Sequence, residues 1–362
     1  MAADHSPQQI GNRPGSGAGD HDLDGCCRAG STVRHRVPPY RAAMLSGILD
    51  RIGSTPLVPL VSIGAGLPVP LLAKCEHLNP GGSVKDRLAL AIVDDAEQRG
   101  VLAPGATIIE ATAGNTGIGL ALVAAVRGYE LVCVMPQKMS IDKRHALAQL
   151  GARVVIAENA PLSDPRNFQQ LARRLASEHG WFLADQFANP ANPAMHEHMT
   201  GPEILAEAGG RIGAFVAGAG TGGTITGVGR FLRRACPTAR VVLADPAGSL
   251  LAAWVDGTTG DAEAPYAIEG IGQGSPPANL DRTVIDAAER VSDEESFAIT
   301  GRLLREEGLL VGGSAGTAVA AALRVARRGD LDGPVVALLP DAWDRYRSTP
   351  WMQALAAGAT PS

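Results

Sequence analysis

Short apolar runs recur along the chain from residue 48 onward, and most are followed by a stretch whose apolar positions have helical spacing. The runs most typical of strands are LLAKC (71–75), TIIEA (107–111), ELVCVM (130–135), ARVVIA (152–157), GAFVAG (213–218), RVVLAD (240–245) and PVVALL (334–339). Segments such as GIGLALVAAVRG and FQQLARRLASEHG lie between them. Because strands that are apolar throughout are typical of parallel sheets covered on both faces, the pattern predicts a doubly wound α/β fold.

The domain organisation follows from the number of these units, which is too large for one compact sheet. The Asn- and Pro-rich segment ANPANPAM (188–195) is a natural hinge. We therefore predict two doubly wound parallel-sheet domains, over 45–187 and 188–352, with the first strands free to cross into the other domain. Residues 1–44 are rich in Gly, Ser, Pro, Asp and Arg and are predicted to be a disordered tail, and 353–362 form a second tail.

Composition argues against nucleic-acid binding, a membrane span and a disulfide-rich protein. The 362 residues are 45% apolar and 19% charged with a net charge of −5, which is typical of a soluble globular protein and provides no positive excess for nucleic acid. No apolar run reaches the roughly 18 residues of a membrane span, and the polar N-terminus predicts a cytoplasmic protein. The five cysteines are too scattered for a disulfide framework, and the adjacent Cys26 and Cys27 match no metal motif, so no metal is predicted.

Four Gly-rich turns carry the candidate chemistry, because ligands of open parallel sheets bind beyond the carboxyl ends of the strands. GAGTGGT (218–224) follows a strand and opens a helix, an arrangement that binds phosphate through main-chain N–H groups. The same turn fits the G-x-G-x-x-G dinucleotide fingerprint, with Asp245 as the ribose-binding acid, so an NAD-dependent oxidoreductase is an alternative. In TAGNTG (112–117) and GGSAGT (312–317) the polar residues could also be ordinary helix caps.

The fourth turn precedes Lys85, which stands just inside a helix start where exposed N–H groups disfavour a cation. A P-loop lysine is excluded because its motif is absent and Asp86 follows. An ordinary surface lysine is the simplest interpretation, but a lysine desolvated beside an anion site forms a Schiff base with an aldehyde cofactor. Pyridoxal 5′-phosphate carries a phosphate, a ring oxygen, a pyridine nitrogen and an aldehyde, which match the 220–224 turn, Asn115, Ser314 and Lys85.

Six motifs follow one another along the chain: NPGGSVKDR, IIEATAGNTGIGLALVAAVRGY, VMPQKMS, GAGTGGTITGVGR, IEGIG and GGSAGT. Together they resemble the β-replacement enzymes of pyridoxal phosphate fold type II, the cysteine synthases and cystathionine β-synthases. The similarity extends from about residue 45 to residue 351. DPAGSLL, LDRTVID and EEGLLVGGSAG are more similar to the cystathionine β-synthases.

The resemblance implies the site residues. The cofactor would be held by Lys85, Asn115, Gly220, Thr221, Gly222, Gly223, Thr224 and Ser314. The carboxylate of the amino-acid substrate would be bound by Thr112, Ala113, Gly114, Asn115, Thr116 and Gln186. Ala113 departs from the family, which more often has serine there, so we expect weaker carboxylate binding or an altered specificity.

The resemblance also implies the reaction. A thiol, homocysteine, would replace the β-substituent of L-serine or O-acetyl-L-serine through an aminoacrylate, giving cystathionine, with Lys85 as general base. Cysteine synthase activity with O-acetylserine and sulfide is the alternative, and a dehydratase is less favoured. We expect small-molecule substrates, a homodimer, no nucleic acid and no membrane partner, and neither a C-terminal regulatory module nor a haem-binding segment.

Overall fold

The computed structural model describes residues 47–112, 114–137, 139, 141–259 and 262–357. The predictions for the tail 1–44 with its two cysteines, for Ala113 and for the last five residues lie outside the described residues. The described residues, from 47 to 357, belong to one compact unit.

The described chain alternates strands and helices. The strands are β1 (Leu57–Pro59), β2 (Leu71–Cys75), β3 (Thr107–Ala111), β4 (Glu130–Pro136), β5 (Arg153–Ala157), β6 (Phe182–Leu183), β7 (Ala214–Ala217), β8 (Arg240–Pro246), β9 (Ala287–Val291) and β10 (Val335–Leu339). The helices are α1 (Lys85–Gln98), α2 (Asn115–Arg127), α3 (Ile141–Gln149), α4 (Phe168–His179), α5 (Ala191–Met195), α6 (Gly201–Glu207), α7 (Gly223–Ala235), α8 (Leu251–Asp256), α9 (Asp293–Glu306), α10 (Gly313–Arg327) and α11 (Pro350–Ala356). A π-helical turn (His196–Thr200) joins α5 to α6.

The strands form two sheets. The larger has the order β1-β2-β10-β7-β8-β9 and the smaller the order β5-β4-β3-β6. All pairs are parallel except β1 with β2. The predicted α/β class with parallel sheets is thus confirmed. Although β1 and β2 precede the smaller sheet in the sequence, they belong to the larger one, where Leu71 to Cys75 pair in register with Val335 to Leu339. The division into domains at residue 188 stays a prediction.

The apolar runs became strands because both faces of each sheet are covered by helices. Every residue of β7 and of β10 is buried, which explains their apolar sequence. Helix α10 lies on the larger sheet and is buried along almost its whole length. It packs closely against α9 because Gly316 has no side chain, and a Cβ there would overlap the carbonyl oxygen of Ser296. In the described part of the chain, no helix is both long and apolar enough to cross a membrane.

Candidate active site

A pocket opens beyond the carboxyl ends of β2, β10 and β7, three neighbouring strands of the larger sheet. Most of the residues predicted to hold the cofactor meet there. The lining residues are Val84, Lys85, Asn115, Gly218, Gly220, Thr221, Gly222, Thr224, Gly270, Ile271, Ser314, Leu338, Pro340 and Asp341. The structure therefore brings together side chains separated by more than 200 residues in the sequence.

Lys85 is the first residue of α1, and its amine has no hydrogen-bond or ion-pair partner among the described residues. Burial lowers the pKa of this amine, and the nearby Asp341 carboxylate partly opposes that shift. An amine with a lowered pKa is available in its neutral, nucleophilic form at a lower pH than an exposed lysine. The turn that precedes it is held by Arg345, whose guanidinium donates to the carbonyl oxygens of Gly81 and Gly82.

Asn115 opens α2, and its side chain is fixed by a carboxylate that the sequence analysis did not identify. Its Nδ2 donates to Asp341 Oδ2 at 2.7 Å, and the hydroxyl of Tyr346 donates to the same oxygen at 2.5 Å. Asp341 lies two residues beyond the end of β10 and is buried, and its Oδ1 has no partner in the described part of the chain. The Asn115 amide is thereby oriented at the pocket wall.

The turn after β7 is shaped by glycines that no other residue could replace without movement. A Cβ on Gly220 would overlap the carbonyl oxygen of Gly270, and a Cβ on Gly223 would overlap the side chain of Asn192. Gly222 has a φ of 82°, in the left-handed region that favours glycine. Within the described chain no side chain caps α7, so its first N–H groups face the pocket as an anion site.

Ser314 lies in the first turn of α10, which begins at Gly313. It is buried, and its hydroxyl has no hydrogen-bond partner among the residues that the structure describes. A buried hydroxyl without a protein partner is poised to bond a ligand, because leaving it unsatisfied is unfavourable.

The TAGNTG loop (112–117) follows β3 of the smaller sheet, and its last three residues are the first turn of α2. The Thr112 hydroxyl accepts from the N–H groups of Gly114 and Gly117 at 3.0 and 3.2 Å. Gly114 has a φ of 145°, which suits only glycine. Thr116 is buried and donates to Gln186 Oε1 at 2.5 Å.

Gln186 stands behind this loop. Its Nε2 donates to Glu110 Oε1 at 3.1 Å and to the carbonyl oxygen of Ala111 at 2.8 Å. Burial raises the pKa of Glu110 to about 8. Because both amide hydrogens of Gln186 are donated to Glu110 and Ala111, no hydrogen remains for a substrate carboxylate in this arrangement. The direct contact of Gln186 with that carboxylate stays a prediction.

An ion pair joins α3 to the segment that precedes the pocket residues Gly270 and Ile271. Lys143 of α3 donates to Glu269 of the IEGIG segment, and the carbon stem of Lys143 lies beside Gly114. The Lys143 ammonium also lies 5.2 Å from the centre of the Tyr346 ring. This ion pair thus connects α3, on the smaller sheet, to the segment that lies against the 218–224 turn.

The donor set fits pyridoxal phosphate. It combines an unpaired amine, a glycine-shaped anion turn at a helix start, an oriented amide and a buried free hydroxyl, which match four different groups of that cofactor. The dinucleotide alternative has less support, because Asp245 accepts from the N–H of Ala252 at 2.8 Å and so is engaged in starting α8.

Comparison with known proteins agrees with this chemistry. The sequence profile of the pyridoxal-phosphate dependent enzymes matches residues 48–341. The chain therefore belongs to the family of pyridoxal-phosphate dependent enzymes. The predictions of an enzyme and of this cofactor are confirmed.

The individual relatives indicate which members of the family are similar. Cystathionine beta-synthase of Oryctolagus cuniculus is 45% identical over 324 residues, which are 88% of this chain and 59% of that protein. The Apis mellifera protein of the same name is 44% identical over 319 residues, 87% of this chain and 63% of that one. The chain thus spans about three fifths of the length of these curated relatives. A crystal structure of O-ureido-L-serine synthase has 42% identity and a TM-score of 0.79, covering 86% of this chain and 96% of that one.

Proposed function

We propose that this chain catalyses pyridoxal-phosphate-dependent β-replacement on L-serine or O-acetyl-L-serine, with homocysteine as the incoming thiol and cystathionine as the product. The observation that carries the proposal is the convergence of Lys85, Asn115, Ser314 and the 220–224 turn on one pocket. The 44–45% identity to proteins named cystathionine beta-synthase supports the choice of reaction.

In this proposal each wall of the pocket holds one part of the cofactor. The 220–224 turn and the start of α7 would hold its phosphate, Asn115 would donate to its ring oxygen, Ser314 would bond its pyridine nitrogen, and Lys85 would hold its aldehyde carbon. When bound, the cofactor supplies an electron sink for negative charge that develops on Cα of the amino acid. A serine at position 314 can donate to or accept from the ring nitrogen and, unlike an aspartate, does not impose a proton on it.

Lys85 then acts on the substrate. Its amine would remove the proton from Cα, the β-substituent would leave as water or acetate, and the amine would return a proton to Cα after the thiol has bonded through sulfur to the β-carbon and released its own proton. The lowered pKa supports this role, because the neutral amine is the form that accepts a proton.

The TAGNTG loop binds the substrate carboxylate in this proposal. The N–H groups at the start of α2 carry the positive end of the helix dipole. The Thr112 hydroxyl oxygen already accepts two N–H groups, so its proton remains available to donate. The Thr116 hydroxyl donates its proton to Gln186, so in this arrangement it has no proton left for the carboxylate and serves instead to fix the loop against Gln186.

A second candidate is a cysteine synthase-type reaction with a small nucleophile such as sulfide. It is favoured by the similarity to O-ureido-L-serine synthase, of which this chain covers 96%. Homodimer formation and a cytoplasmic location remain predictions, which sedimentation and cell fractionation would test.

The test uses the fact that the sequence contains four lysines, Lys74, Lys85, Lys138 and Lys143. Borohydride treatment of the protein loaded with pyridoxal phosphate, followed by peptide mass spectrometry, should label Lys85 and leave the other three unmodified. Lys85→Ala should lose the label and the activity, whereas Lys143→Ala should keep the label. A label on any lysine other than Lys85 would refute the assignment.

Product analysis distinguishes the two candidates. Serine or O-acetylserine is supplied with homocysteine or with sulfide, and the products are identified by mass. Cystathionine as the preferred product supports the first candidate, and cysteine made from O-acetylserine and sulfide alone supports the second.

A further inference from the structure

Behind the phosphate turn lies a layer of buried polar side chains on α5 and the π-helical turn. Asn192 and His196 are both fully buried, and their spacing of four residues places them on one helical face. Asn192 contacts the hydroxyl of Thr221, and His196 contacts the hydroxyl of Thr224. Both hydroxyls belong to the proposed phosphate turn. Hydrogen bonds from Asn192 and His196 can therefore determine the direction in which the hydroxyl protons point.

The direction of the hydrogen bond from Asn192 is fixed by a carbonyl group. Asn192 Nδ2 lies 2.9 Å from the carbonyl oxygen of Gln186, which can only accept, and this identifies the nitrogen side of the amide. The other Nδ2 hydrogen goes to Thr221 Oγ1 at 3.1 Å. Thr221 therefore accepts at its oxygen and keeps its own proton to donate elsewhere.

His196 occupies the equivalent place at Thr224. Its Nε2 lies 3.1 Å from Thr224 Oγ1, and its Nδ1 lies 2.9 Å from Thr200 Oγ1. Burial, together with the nearby cations Arg87 and Lys85, lowers the pKa of the ring well below its usual range, so the ring is neutral and carries one proton. One ring nitrogen thus donates and the other accepts.

Two glycines of α7, Gly223 and Gly227, allow this layer to approach the helix closely. A Cβ on Gly227 would lie 2.6 Å from Cβ of His196, and one on Gly223 would overlap the side chain of Asn192. Both side chains are therefore held between α7 and the rest of the fold, with little freedom to turn away from the threonines.

We propose that Asn192 and His196 are positioning residues that donate to Thr221 and Thr224 and so direct both hydroxyl protons towards a phosphate in the turn. His196 acts as the Nε2–H tautomer, and its Nδ1 accepts from Thr200. The inference rests on the proposed function, because it requires the turn to bind the cofactor phosphate. In the opposite tautomer Thr224 would donate to His196 and present only lone pairs to the phosphate, which would be repulsive.

The first experiment measures the affinity of the apoprotein for pyridoxal phosphate by equilibrium dialysis. His196→Leu should weaken binding about tenfold, because Thr224 would no longer be held to donate to the phosphate, and one hydrogen bond to a charged acceptor has about this effect. His196→Gln should bind within about twofold of the wild type, because the glutamine Nε2 can donate at a similar distance from the backbone. His198→Leu is the matched control, since His198 is exposed on the same π-helical turn.

A double-mutant cycle separates positioning from general structure. In a Thr224→Val background, His196→Leu should have little further effect on cofactor affinity, because the hydroxyl through which His196 acts is gone. Equal losses in both backgrounds would show that His196 affects the site in another way and would overturn the proposal.

The tautomer of His196 is measured directly on the wild-type holoenzyme. This measurement does not depend on whether the variants fold. In the protein labelled with ¹⁵N at histidine, the resonances assigned to His196 should show a protonated Nε2 and an unprotonated Nδ1. An Nδ1–H tautomer would overturn the inference. A wild-type protein that binds no pyridoxal phosphate would instead refute the proposed function.

Discussion

Replacing Arg87 should destabilise the protein strongly, because the side chain lies in a buried ion network. Arg87 is fully buried and pairs with Glu76, which is fully buried as well, through bonds of 2.7 and 2.8 Å. It also donates to Glu203 of α6 at 2.6 and 2.8 Å, and Lys74 lies 3.1 Å from Glu203. The network ties the first turn of α1, which carries Lys85, to α6.

The magnitude follows from what Arg87→Met leaves behind. Glu76 keeps its bonds from Thr55 and Asn79, but its charge remains buried without a paired cation. Breaking a buried pair in this way lowers the free energy of unfolding by about 3–5 kcal/mol. Adding Glu76→Gln should recover a large part of that loss, because it removes the uncompensated charge.

Equilibrium unfolding in urea, with the slope checked for constancy, measures these differences. Arg99→Met is the control, since Arg99 is exposed and pairs with Asp95 on the surface of α1, and it should change the free energy of unfolding by less than about 0.5 kcal/mol. An Arg87→Met variant within about 1 kcal/mol of the wild type would refute the reasoning, as would a double variant less stable than the single one.

Three further changes test the site. Asp341→Asn should lower the pH at which the amine of Lys85 titrates, measured by the pH dependence of its acylation in the apoprotein, because the carboxylate raises that pKa. Gly223→Ala should weaken binding of pyridoxal phosphate at least about tenfold in equilibrium dialysis, since the new methyl group overlaps the buried Asn192. Burial raises the pKa of Glu110 from 4.5 to about 8. Between these two pH values the folded protein keeps a proton on Glu110 that the unfolded chain has lost. The free energy of unfolding therefore falls as the pH rises through that interval. Glu110→Gln should reduce that fall in urea titrations.

Each of these changes has a matched control in the described chain. Asp344 is exposed in the turn that follows Asp341, and Asp344→Asn should leave the titration of the site lysine unchanged. Gly47 has open space around it, and Gly47→Ala should leave cofactor affinity unchanged. Glu130→Gln, at an exposed strand end, should keep the wild-type pH dependence of stability. A control that matched its test variant would contradict the corresponding prediction.

The strands that could be predicted from the sequence are those buried on both faces. The runs at 71–75 and 107–111 have the predicted bounds, and five others differ by one residue at one or both ends. The strands that were missed are β1, β6 and β9. The first two have three and two residues, and β9 lies at the sheet edge, where its half-buried AAERV sequence shows neither a continuous apolar run nor strict alternation.

The candidate site could be predicted where one local motif carries the chemistry. Lys85, Asn115, Ser314 and the glycine turn each lie at a recognisable helix start, and the structure places them together. Asp341 was missed, although it follows the apolar run PVVALL, and the rule that ligands bind at the carboxyl ends of strands would have indicated it.

Asn192 and His196 could not be identified in the same way. Their contribution depends on how closely α5 approaches α7, and the residues that permit the approach are glycines of a different motif. The sequence shows such glycines, but not which element lies against them.

The strand order explains why the phosphate turn and the TAGNTG loop follow strands of different sheets. Asp341 and the proposed phosphate turn follow β10 and β7, which are adjacent in the larger sheet. Lys85 follows β2 of the same sheet, but it opens α1, whose apolar side chains pack with α2 and the smaller sheet. The TAGNTG loop, by contrast, follows β3 of the smaller sheet.

The two sheets are joined by the hydrogen bond from Asn115 to Asp341 and by the ion pair of Lys143 with Glu269. In the proposed function, a substrate carboxylate at the start of α2 and Lys85 at the start of α1 would both be carried by helices packed on the smaller sheet, whereas the phosphate turn belongs to the larger one. Carboxylate binding would therefore hold the substrate and Lys85 on one set of packed elements, which favours alignment of Cα with its base.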